Sequence, residues 1–251
     1  MEQFIKNLAR GAGAILKEGF HKELQINHKK GYWDVVTQYD LAADKYIQDR
    51  IKKKFPKHSI LSEETGGSRK GQNIWVIDPL DGTRNFSRGT PLFCTIIAFI
   101  KNGKTELGAI YDPIKDELFY AQRGKGAALN GKAIDILKPD TLAHSMAGFD
   151  WHVKDTTARI RHKINNLIYN ERLWYMALGS AGLDLGYLAA GRFDFGLLNG
   201  AHPWDYAAGI LIAREAGAKV TDFRGHFAVW DSKQVVAASP KLHKQIMQYL
   251  K

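Results

Sequence analysis

Apolar residues recur every three or four positions near the start of the chain. Ile5, Leu8, Ala12 and Ile15 fall on one face of a helix at this spacing, with polar residues opposite. Gly19 interrupts the pattern, and glycine commonly follows the last turn of a helix. The pattern therefore predicts an amphipathic helix at the beginning of the chain.

A second helix is predicted to begin at about Thr37. Ala43, Ile47 and Ile51 follow at four-residue spacing. Pro56 ends this helix, because proline has no backbone N–H and its ring clashes with the preceding turn.

Short extended segments follow the second helix. Apolar runs at 59–61 and 74–77 predict two strands, the second of which ends at Asp78. Segment 93–122 predicts several antiparallel strands, with a hairpin at Asn102 and Gly103, a dipeptide that tight hairpin turns favour.

Helical and extended stretches alternate in the last part of the chain. Helices are predicted over 159–167 and 183–190 and after Pro203 and Pro240, and strands over 173–177, 193–198 and 235–238. The composition shifts near Pro139, so we predict an N-terminal α+β subdomain over 1–138 and a C-terminal α/β subdomain over 139–251. The predicted fold class is α/β, a layered α+β sandwich.

Charge and cysteine content narrow the function classes. The 251 residues include 36 Lys and Arg against 26 Asp and Glu, a net charge of +10 that suits nucleic acid, an anionic membrane face or anionic substrates.

The single Cys94 excludes an internal disulfide and a cysteine-based zinc site, and its apolar neighbours favour a buried residue over a reactive thiol. The apolar run 93–100 is too short to cross a bilayer and the N-terminus lacks signal-peptide features, so we expect a cytoplasmic protein without a membrane partner.

The segment 75–83, WVIDPLDGT, carries the most informative polar residues. An apolar strand delivers Asp78, Pro79 disfavours a regular ladder, and Asp81 follows on a turn. Two converging carboxylates repel each other unless a cation lies between them, and oxygen-only ligation suits Mg²⁺. The N–H groups of Gly82 and Thr83 would face an anion such as phosphate if they open a helix. The alternative is a capped turn in which the carboxylates only accept backbone hydrogen bonds.

Two more acidic features point the same way. Glu63 and Glu64 follow a predicted strand, and Asp205 precedes an apolar helix in the sequence His-Pro-Trp-Asp. On its own, Asp205 could equally be a helix N-cap.

The order of these residues resembles the inositol monophosphatase family. The residues that carry the resemblance are Asp40, Glu63-Glu64, Asp78-Pro79-Leu80-Asp81-Gly82-Thr83 and Trp204-Asp205. It implies an inositol monophosphatase or fructose-1,6-bisphosphatase-like fold of two subdomains and a lithium-sensitive phosphatase with two or three Mg²⁺ ions per site. It also implies a homodimer.

The resemblance assigns roles residue by residue. The implied metal ligands are Glu63, Asp78, the Leu80 carbonyl, Asp81 and Asp205. The implied catalytic residues are Thr83, oriented by Asp40, and Glu63, a ligand of the metal that activates water. The implied substrate-binding residues are Gly82, Thr83, Gly179, Ser180, Ala181 and Asp205. Lys29 falls where the family often has a lysine near the metals.

Three positions depart from the family pattern. Leu198 replaces a glutamate that contacts inositol hydroxyls, which puts an inositol preference in doubt. Alternatively, Leu198 points into the core and a neighbour such as Asn199 makes those contacts. Arg84 and Ala218 also depart from the common residues.

The resulting hypothesis is a Mg²⁺-dependent phosphomonoesterase that acts on myo-inositol 1-phosphate or similar small monoesters. Alternatives are phosphatases acting on fructose bisphosphate, a nucleotide 3′-phosphate or histidinol phosphate. A further alternative is a regulatory protein that binds RNA or the transcription machinery, as some bacterial members do. Arg159, Arg161, His162 and Lys163 could form such a basic surface, although a solvated helix face explains them equally well.

Overall fold

The computed structural model describes residues 1–28, 35–151, 157–200 and 202–250. The helices within these ranges are α1 (Glu2–Gly19), α2 (Gln38–Lys54), α3 (Thr83–Ser87), α4 (Ala158–Glu171), α5 (Ala181–Ala189), α6 (Pro203–Glu215) and α7 (Pro240–Leu250). The strands up to the middle of the chain are β1 (Ile26–His28), β2 (Val35–Thr37), β3 (Ser59–Ser62), β4 (Gly66–Gly67), β5 (Asn73–Asp81), β6 (Cys94–Lys101), β7 (Lys104–Asp112) and β8 (Glu117–Gln122). The remaining strands are β9 (Ala127–Leu129), β10 (Lys132–Ile134), β11 (Met146–Trp151), β12 (Trp174–Met176), β13 (Phe195–Asn199), β14 (Lys219–Thr221) and β15 (Gln234–Ala238).

Two large sheets alternate with three helical layers, and β1 pairs with β2 in a separate two-stranded sheet. The first sheet has eight strands in the order β10-β9-β8-β7-β6-β5-β3-β4, and the second has five in the order β12-β11-β13-β15-β14. Helices α1 and α2 pack on the outer face of the first sheet, α5 and α6 lie between the sheets, and α7 packs on the outer face of the second beside α4. This arrangement confirms the predicted layered α/β fold. The division at residue 138 stays a prediction, because α5 and α6 contact both sheets and share one core with them.

The first helix confirms the predicted amphipathic pattern with one change of phase. Ile5, Leu8 and Ala12 are fully or almost fully buried against the first sheet. Leu16 completes the buried stripe, whereas the predicted Ile15 is only partly buried. At about 100° of rotation per residue, position 16 lies only about 20° around the helix from Ile5, whereas position 15 lies about 80° away.

The second helix begins where the sequence predicts. Thr37 is its N-cap: its hydroxyl accepts a hydrogen bond from the Tyr39 N–H, and Asp40 accepts one from the Thr37 N–H in return. The capping box explains why the helix starts there. Lys54 is the last helical residue, two positions before Pro56.

Strand β5 runs further than predicted. We expected it to end at Asp78, but it continues to Asp81 beside β6, with a register shift between these two residues. Pro79 has no N–H to give to the ladder, so the strand bulges at this point instead of ending.

The second sheet contains strands that the sequence did not reveal. Its central pair, β11 and β13, is parallel, while β15 runs antiparallel to β13. Neither β11 nor β14 was predicted. The predicted segments 173–177, 193–198 and 235–238 correspond to β12, β13 and β15. Among the described helices, none is both long and apolar enough to cross a membrane.

Candidate active site

The bulge in β5 places two acidic side chains at the inner edge of the first sheet. Asp78 is 1% exposed and Asp81 is 8% exposed. The Leu80 N–H donates a hydrogen bond of 3.0 Å to Asp78 Oδ1. Asp78 pairs with Ile96 and Asp81 pairs with Cys94, so the bulge sets three residues of β5 against two of β6 and places both carboxylates on the same face of the sheet.

A tight turn joins this bulge to the short helix α3. Gly82 has φ of 92°, in the left-handed region that glycine adopts without strain. The Thr83 hydroxyl lies 2.9 Å from the Leu80 carbonyl oxygen and 3.1 Å from Asp40 Oδ1, and either oxygen can accept a hydrogen bond from it. The structure thus brings Thr83 and Asp40 together, although 43 residues separate them in the chain.

Asp40 is a fully buried carboxylate with two functions. Its Oδ2 accepts hydrogen bonds from the Thr37 N–H at 2.8 Å and the Thr37 hydroxyl at 2.5 Å, which leaves Oδ1 for Thr83. Burial raises the pKa of Asp40 to about 6, and the charge of Glu63 acts in the same direction. The helix cap therefore holds the carboxylate that orients Thr83.

Glu63 lies in the turn after β3, next to β5. Its N–H donates to the Ile77 carbonyl at 3.1 Å. The preceding residue, Ser62, donates to Asp44 Oδ1 of α2 at 2.5 Å, and this bond fixes the turn against the helix. Burial raises the pKa of Asp78 well above its ordinary value, and Glu63 acts in the same direction through its charge and a side-chain hydrogen bond.

Asp205 comes from α6, which contacts β5, and we call the place where β5 and the starts of α3, α5 and α6 meet the cleft. It is the third residue of α6, and its Oδ2 accepts a hydrogen bond of 2.6 Å from the His202 N–H. His202 is the N-cap, so the alternative that Asp205 itself is the N-cap is wrong. Burial, followed by the charges of Glu63 and Asp81, raises the pKa of Asp205 well above its ordinary value.

The loop before α5 is tied to Asp81. Ser180 is the N-cap of α5, and its hydroxyl donates to Asp81 Oδ2 at 2.6 Å; the Gly182 N–H donates to the same oxygen at 2.7 Å. Cys94 Sγ also lies 3.5 Å from that oxygen, so the buried cysteine contributes to the site as a weak donor. Burial raises the pKa of Asp81 to about 7, against the effect of these donors.

Asn85 links the two sides of the cleft and was not found from the sequence. Its Nδ2 donates to the Leu92 carbonyl and to the Leu178 carbonyl, both at 2.7 Å. The first bond closes the turn after α3, and the second holds the loop that contains Gly179 and Ala181. No sequence signal distinguishes an asparagine that bridges two segments from one that faces solvent.

The charges of the site fit a bound divalent cation. Asp78 and Glu63 share a side-chain hydrogen bond, and two ionised carboxylates can approach this closely only with a proton or a cation between them. The residues that the structure describes contain no preassembled group of three or more His, Cys, Asp or Glu metal ligands. Carboxylate oxygens are ligands that Mg²⁺ prefers, so the residue types fit this ion. Asp78, Asp81 and Asp205 each also accept hydrogen bonds from N–H or hydroxyl groups of the protein.

Leu198 does not face the cleft. Its side chain is fully buried in the core between the sheets, so the alternative that it points into the core is correct. Asn199 is also buried, and its Oδ1 accepts a hydrogen bond from Gln234 Nε2 at 2.8 Å. Lys29 lies outside the described residues.

The predicted basic cluster lies on α4, in the outer layer beside the second sheet. Arg159, Arg161 and His162 are exposed, whereas Lys163 donates to the Leu250 carbonyl at 2.8 Å. This surface is therefore formed by the first turns of α4 and is separate from the cleft.

Known proteins resemble this chain over nearly its full length. The chain is 41% identical over 245 residues to "Nus factor SuhB" of Pasteurella multocida, covering 95% of this chain and 91% of that protein. It is 35% identical over 245 residues to "Fructose-1,6-bisphosphatase/inositol-1-monophosphatase" of Thermotoga maritima, covering 98% and 93%. The solved structure of extragenic suppressor protein suhB from Bartonella henselae superimposes with a TM-score of 0.93 at 33% identity, covering 100% and 98%. The profile of the inositol monophosphatase family matches residues 1–251, and the chain belongs to this family.

Proposed function

We propose that this protein is a Mg²⁺-dependent phosphomonoesterase that acts on small phosphate monoesters such as myo-inositol 1-phosphate. One observation carries the proposal. Carboxylates of β5, of the turn after β3 and of α6 lie close enough to affect one another: after burial, the charges of Glu63, Asp81 and Asp205 raise the pKa of Asp78. After burial, the charges of Glu63 and Asp81 also raise the pKa of Asp205. Proteins keep such mutually repelling groups together mainly where a cation or a reaction needs them.

Five groups would hold the metal ions, which we take to be two or three per site. These are the side chains of Glu63, Asp78, Asp81 and Asp205 and the carbonyl of Leu80. The Leu80 carbonyl accepts one hydrogen bond from Thr83 and retains a second lone pair. When bound, Mg²⁺ supplies positive charge for the phosphoryl oxygens and activates water at neutral pH.

The side chains of the protein itself position the reactants. The Thr83 hydroxyl, held by Asp40, would orient the attacking water, and the N–H groups of Gly82 and Thr83 would bind the phosphate. Gly179, Ser180 and Ala181 would line the substrate side of the cleft. Phosphoryl transfer requires mainly positioning and charge stabilisation, so no covalent nucleophile is needed.

The decisive experiment compares Asp78→Asn with the parent. Asparagine keeps an oxygen that can accept the Leu80 N–H but removes the charge, so the variant should fold, bind Mg²⁺ more weakly and lose phosphate release. Asp135→Asn, at an exposed position, is the matched control. Full turnover by a folded Asp78→Asn variant would contradict the assignment. Inhibition of the parent by Li⁺ at millimolar order is a second expectation of the family resemblance.

The substrate is proposed as a class rather than as one compound. The similarity to a Thermotoga protein named for two substrates supports a broad site. A phosphate-release screen should include inositol 1-phosphate, fructose 1,6-bisphosphate, a nucleotide 3′-phosphate and histidinol phosphate. Comparable rates on several of these compounds would support the broad class.

We propose a homodimer, in which the second copy covers the edge of the second sheet. Strand β12 is an edge strand, and its three residues are exposed apolar side chains: Trp174 at 72%, Tyr175 at 55% and Met176 at 43%. Unpaired strand edges with large apolar residues favour association.

A role with the transcription machinery is the second candidate function, and the similarity to proteins named Nus factor favours it. The exposed Arg159 and Arg161 on α4 would supply the basic surface. Binding of a purified transcription elongation complex should weaken in Arg159→Glu and Arg161→Glu, while Lys101→Glu, at another exposed position, should have little effect. Equal binding by all three variants would remove α4 from this role.

A further inference from the structure

A further aspartate, Asp150, lies at the carboxyl end of the parallel strands in the second sheet. Asp150 is the next-to-last residue of β11 and is paired in register with Leu198 of β13. Strand β13 leads directly into α6, which carries Asp205. In α/β sheets, ligands bind in the crevice outside the carboxyl ends of parallel strands. Asp150 therefore lies at the edge of the sheet from which the chain continues into α6 and Asp205.

The register also determines which side of the sheet carries Asp150. Residues paired across two parallel strands point to the same face. Leu198 points into the core between the sheets, towards α5 and α6, and is fully buried. Asp150 is on the same face and is half-buried, one residue before the end of β11.

Buried polar groups without partners lie beside Asp150. The Tyr206 hydroxyl and both carboxylate oxygens of Asp184 are buried and have no hydrogen-bond partner within the described part of the chain. A Cβ placed on Gly148, two residues before Asp150, would be 3.0 Å from Asp184 Oδ1. Buried polar groups are nearly always hydrogen-bonded, so three unpartnered atoms mark a place that water or a ligand completes.

These groups lie next to residues of the site: Asp184 is one helical turn after Ser180, which donates to Asp81, and Tyr206 follows Asp205 in α6. Burial raises the pKa of both Tyr206 and Asp184, and the charge of Asp150 is the second-largest cause in each. The charge of Asp150 also raises the pKa of Asp81 and Asp205. Burial raises the pKa of Asp150 itself to about 6, while the positive charge of Arg84 lowers it. Asp150 thus interacts electrostatically with two proposed metal ligands, Asp81 and Asp205, and with Arg84.

We propose that Asp150 is a specificity residue of this site, whose carboxylate accepts hydrogen bonds from the hydroxyl groups of polyol phosphate substrates. The proposal rests on the phosphatase function proposed above. Leu198 cannot accept a hydrogen bond, and its paired neighbour on β11 presents a carboxylate at the same level of the sheet. The preferred substrates would be small phosphate monoesters with several hydroxyls, such as inositol and glycerol phosphates. Tyr206 and Asp184 would support the hydroxyl-binding end through ordered water.

The alternative is a structural role for Asp150. In that case Asp150 and Asp184 would share a proton, and their substitution would change stability without changing substrate preference. The two roles are separated by a ratio of rates on two substrates, because a loss of folded protein lowers both rates equally.

The test measures kcat/KM with Mg²⁺ for glycerol 2-phosphate, which has two hydroxyls, and for phenyl phosphate, which has none. Asp150→Ala should lower the ratio of the two values about tenfold or more, the effect of losing one hydrogen bond to a charged group. Asp150→Asn has nearly the same shape and keeps a neutral acceptor, so its ratio should fall less, mainly through KM. Asp231→Ala, at an exposed position, is the control.

The outcomes distinguish this proposal from the phosphatase function. A ratio unchanged within twofold in both Asp150 variants overturns the specificity role while the phosphatase function stands. If the parent hydrolyses neither ester, the phosphatase function fails and the specificity role fails with it. If Asp150→Ala does not fold, the ratio for Asp150→Asn decides.

Discussion

Replacing Gly82 with alanine should damage the site through the backbone alone. Gly82 has φ of 92°, and a Cβ at this position would lie 2.8 Å from the Leu92 carbonyl oxygen and 3.2 Å from Phe93 Cα. Both obstacles are close to the start of β6, which is hydrogen-bonded to β5 and cannot shift freely. The turn that presents Thr83 must therefore move.

Two costs add to give the expected loss of stability. A non-glycine residue in the left-handed region costs about 1–2 kcal/mol. Forcing a methyl group against fixed backbone costs about 1–3 kcal/mol more. We expect Gly82→Ala to lower the free energy of unfolding by about 2–5 kcal/mol in total.

Gly103 supplies a matched control in the hairpin between β6 and β7. Its φ is 75°, and a Cβ there would meet nothing within 4 Å. Gly103→Ala should therefore show only the backbone cost, about 1–2 kcal/mol. Urea denaturation of both variants, with phosphate release measured in parallel, separates the clash from the strain. If Gly82→Ala is no less stable than Gly103→Ala and keeps full activity, the steric argument is wrong.

Three further predictions concern other parts of the molecule. Burial lowers the pKa of His243 from 6.5 to about 4, so stability should fall by up to about 3 kcal/mol as the pH drops from about 6.5 to 4. His243→Gln should remove this pH dependence in urea denaturation. Leu198→Glu should lower the free energy of unfolding by at least about 3 kcal/mol without creating an inositol preference, because it buries an unpaired charge; a stable variant selective for inositol 1-phosphate would show that position 198 faces the substrate. Trp174→Glu should give a folded monomer by light scattering, and a dimer that persists would place the interface elsewhere.

The sequence predicted the elements whose signals are local. The start of α2 follows from the Thr37 and Asp40 capping box, and α6 follows from Pro203 and a long apolar run. The acidic residues were identified because they form a specific motif, and in the structure the charges of Glu63, Asp81 and Asp205 add to burial in raising the pKa of Asp78. Their grouping could be predicted because the motif residues lie at strand ends and helix starts.

Orientation and register could not be predicted, because they depend on residues distant in the chain. Strand β11 contains Gly148 and shows no clear alternation, so only its pairing with β12 and β13 identifies it. The direction of Leu198 follows from the two-residue period of β13, in which Leu197 faces α7 and Leu198 faces α5 and α6. The spacing of seven residues between Leu198 and Asp205 identifies a position in the chain, but it does not show which face of the sheet the Leu198 side chain occupies.

The three principal carboxylates share one arrangement that connects folding with binding. In each, a single oxygen is anchored by protein donors: Asp78 Oδ1 by an N–H, Asp81 Oδ2 by a hydroxyl and an N–H, and Asp205 Oδ2 by an N–H. Anchoring one oxygen fixes the direction of the other without consuming its lone pairs. The fold can therefore hold repelling groups in place before any cation binds, at the cost of the raised pKa values. For the same reason, an asparagine at one of these positions keeps the anchoring hydrogen bond and loses only the charge that a cation requires.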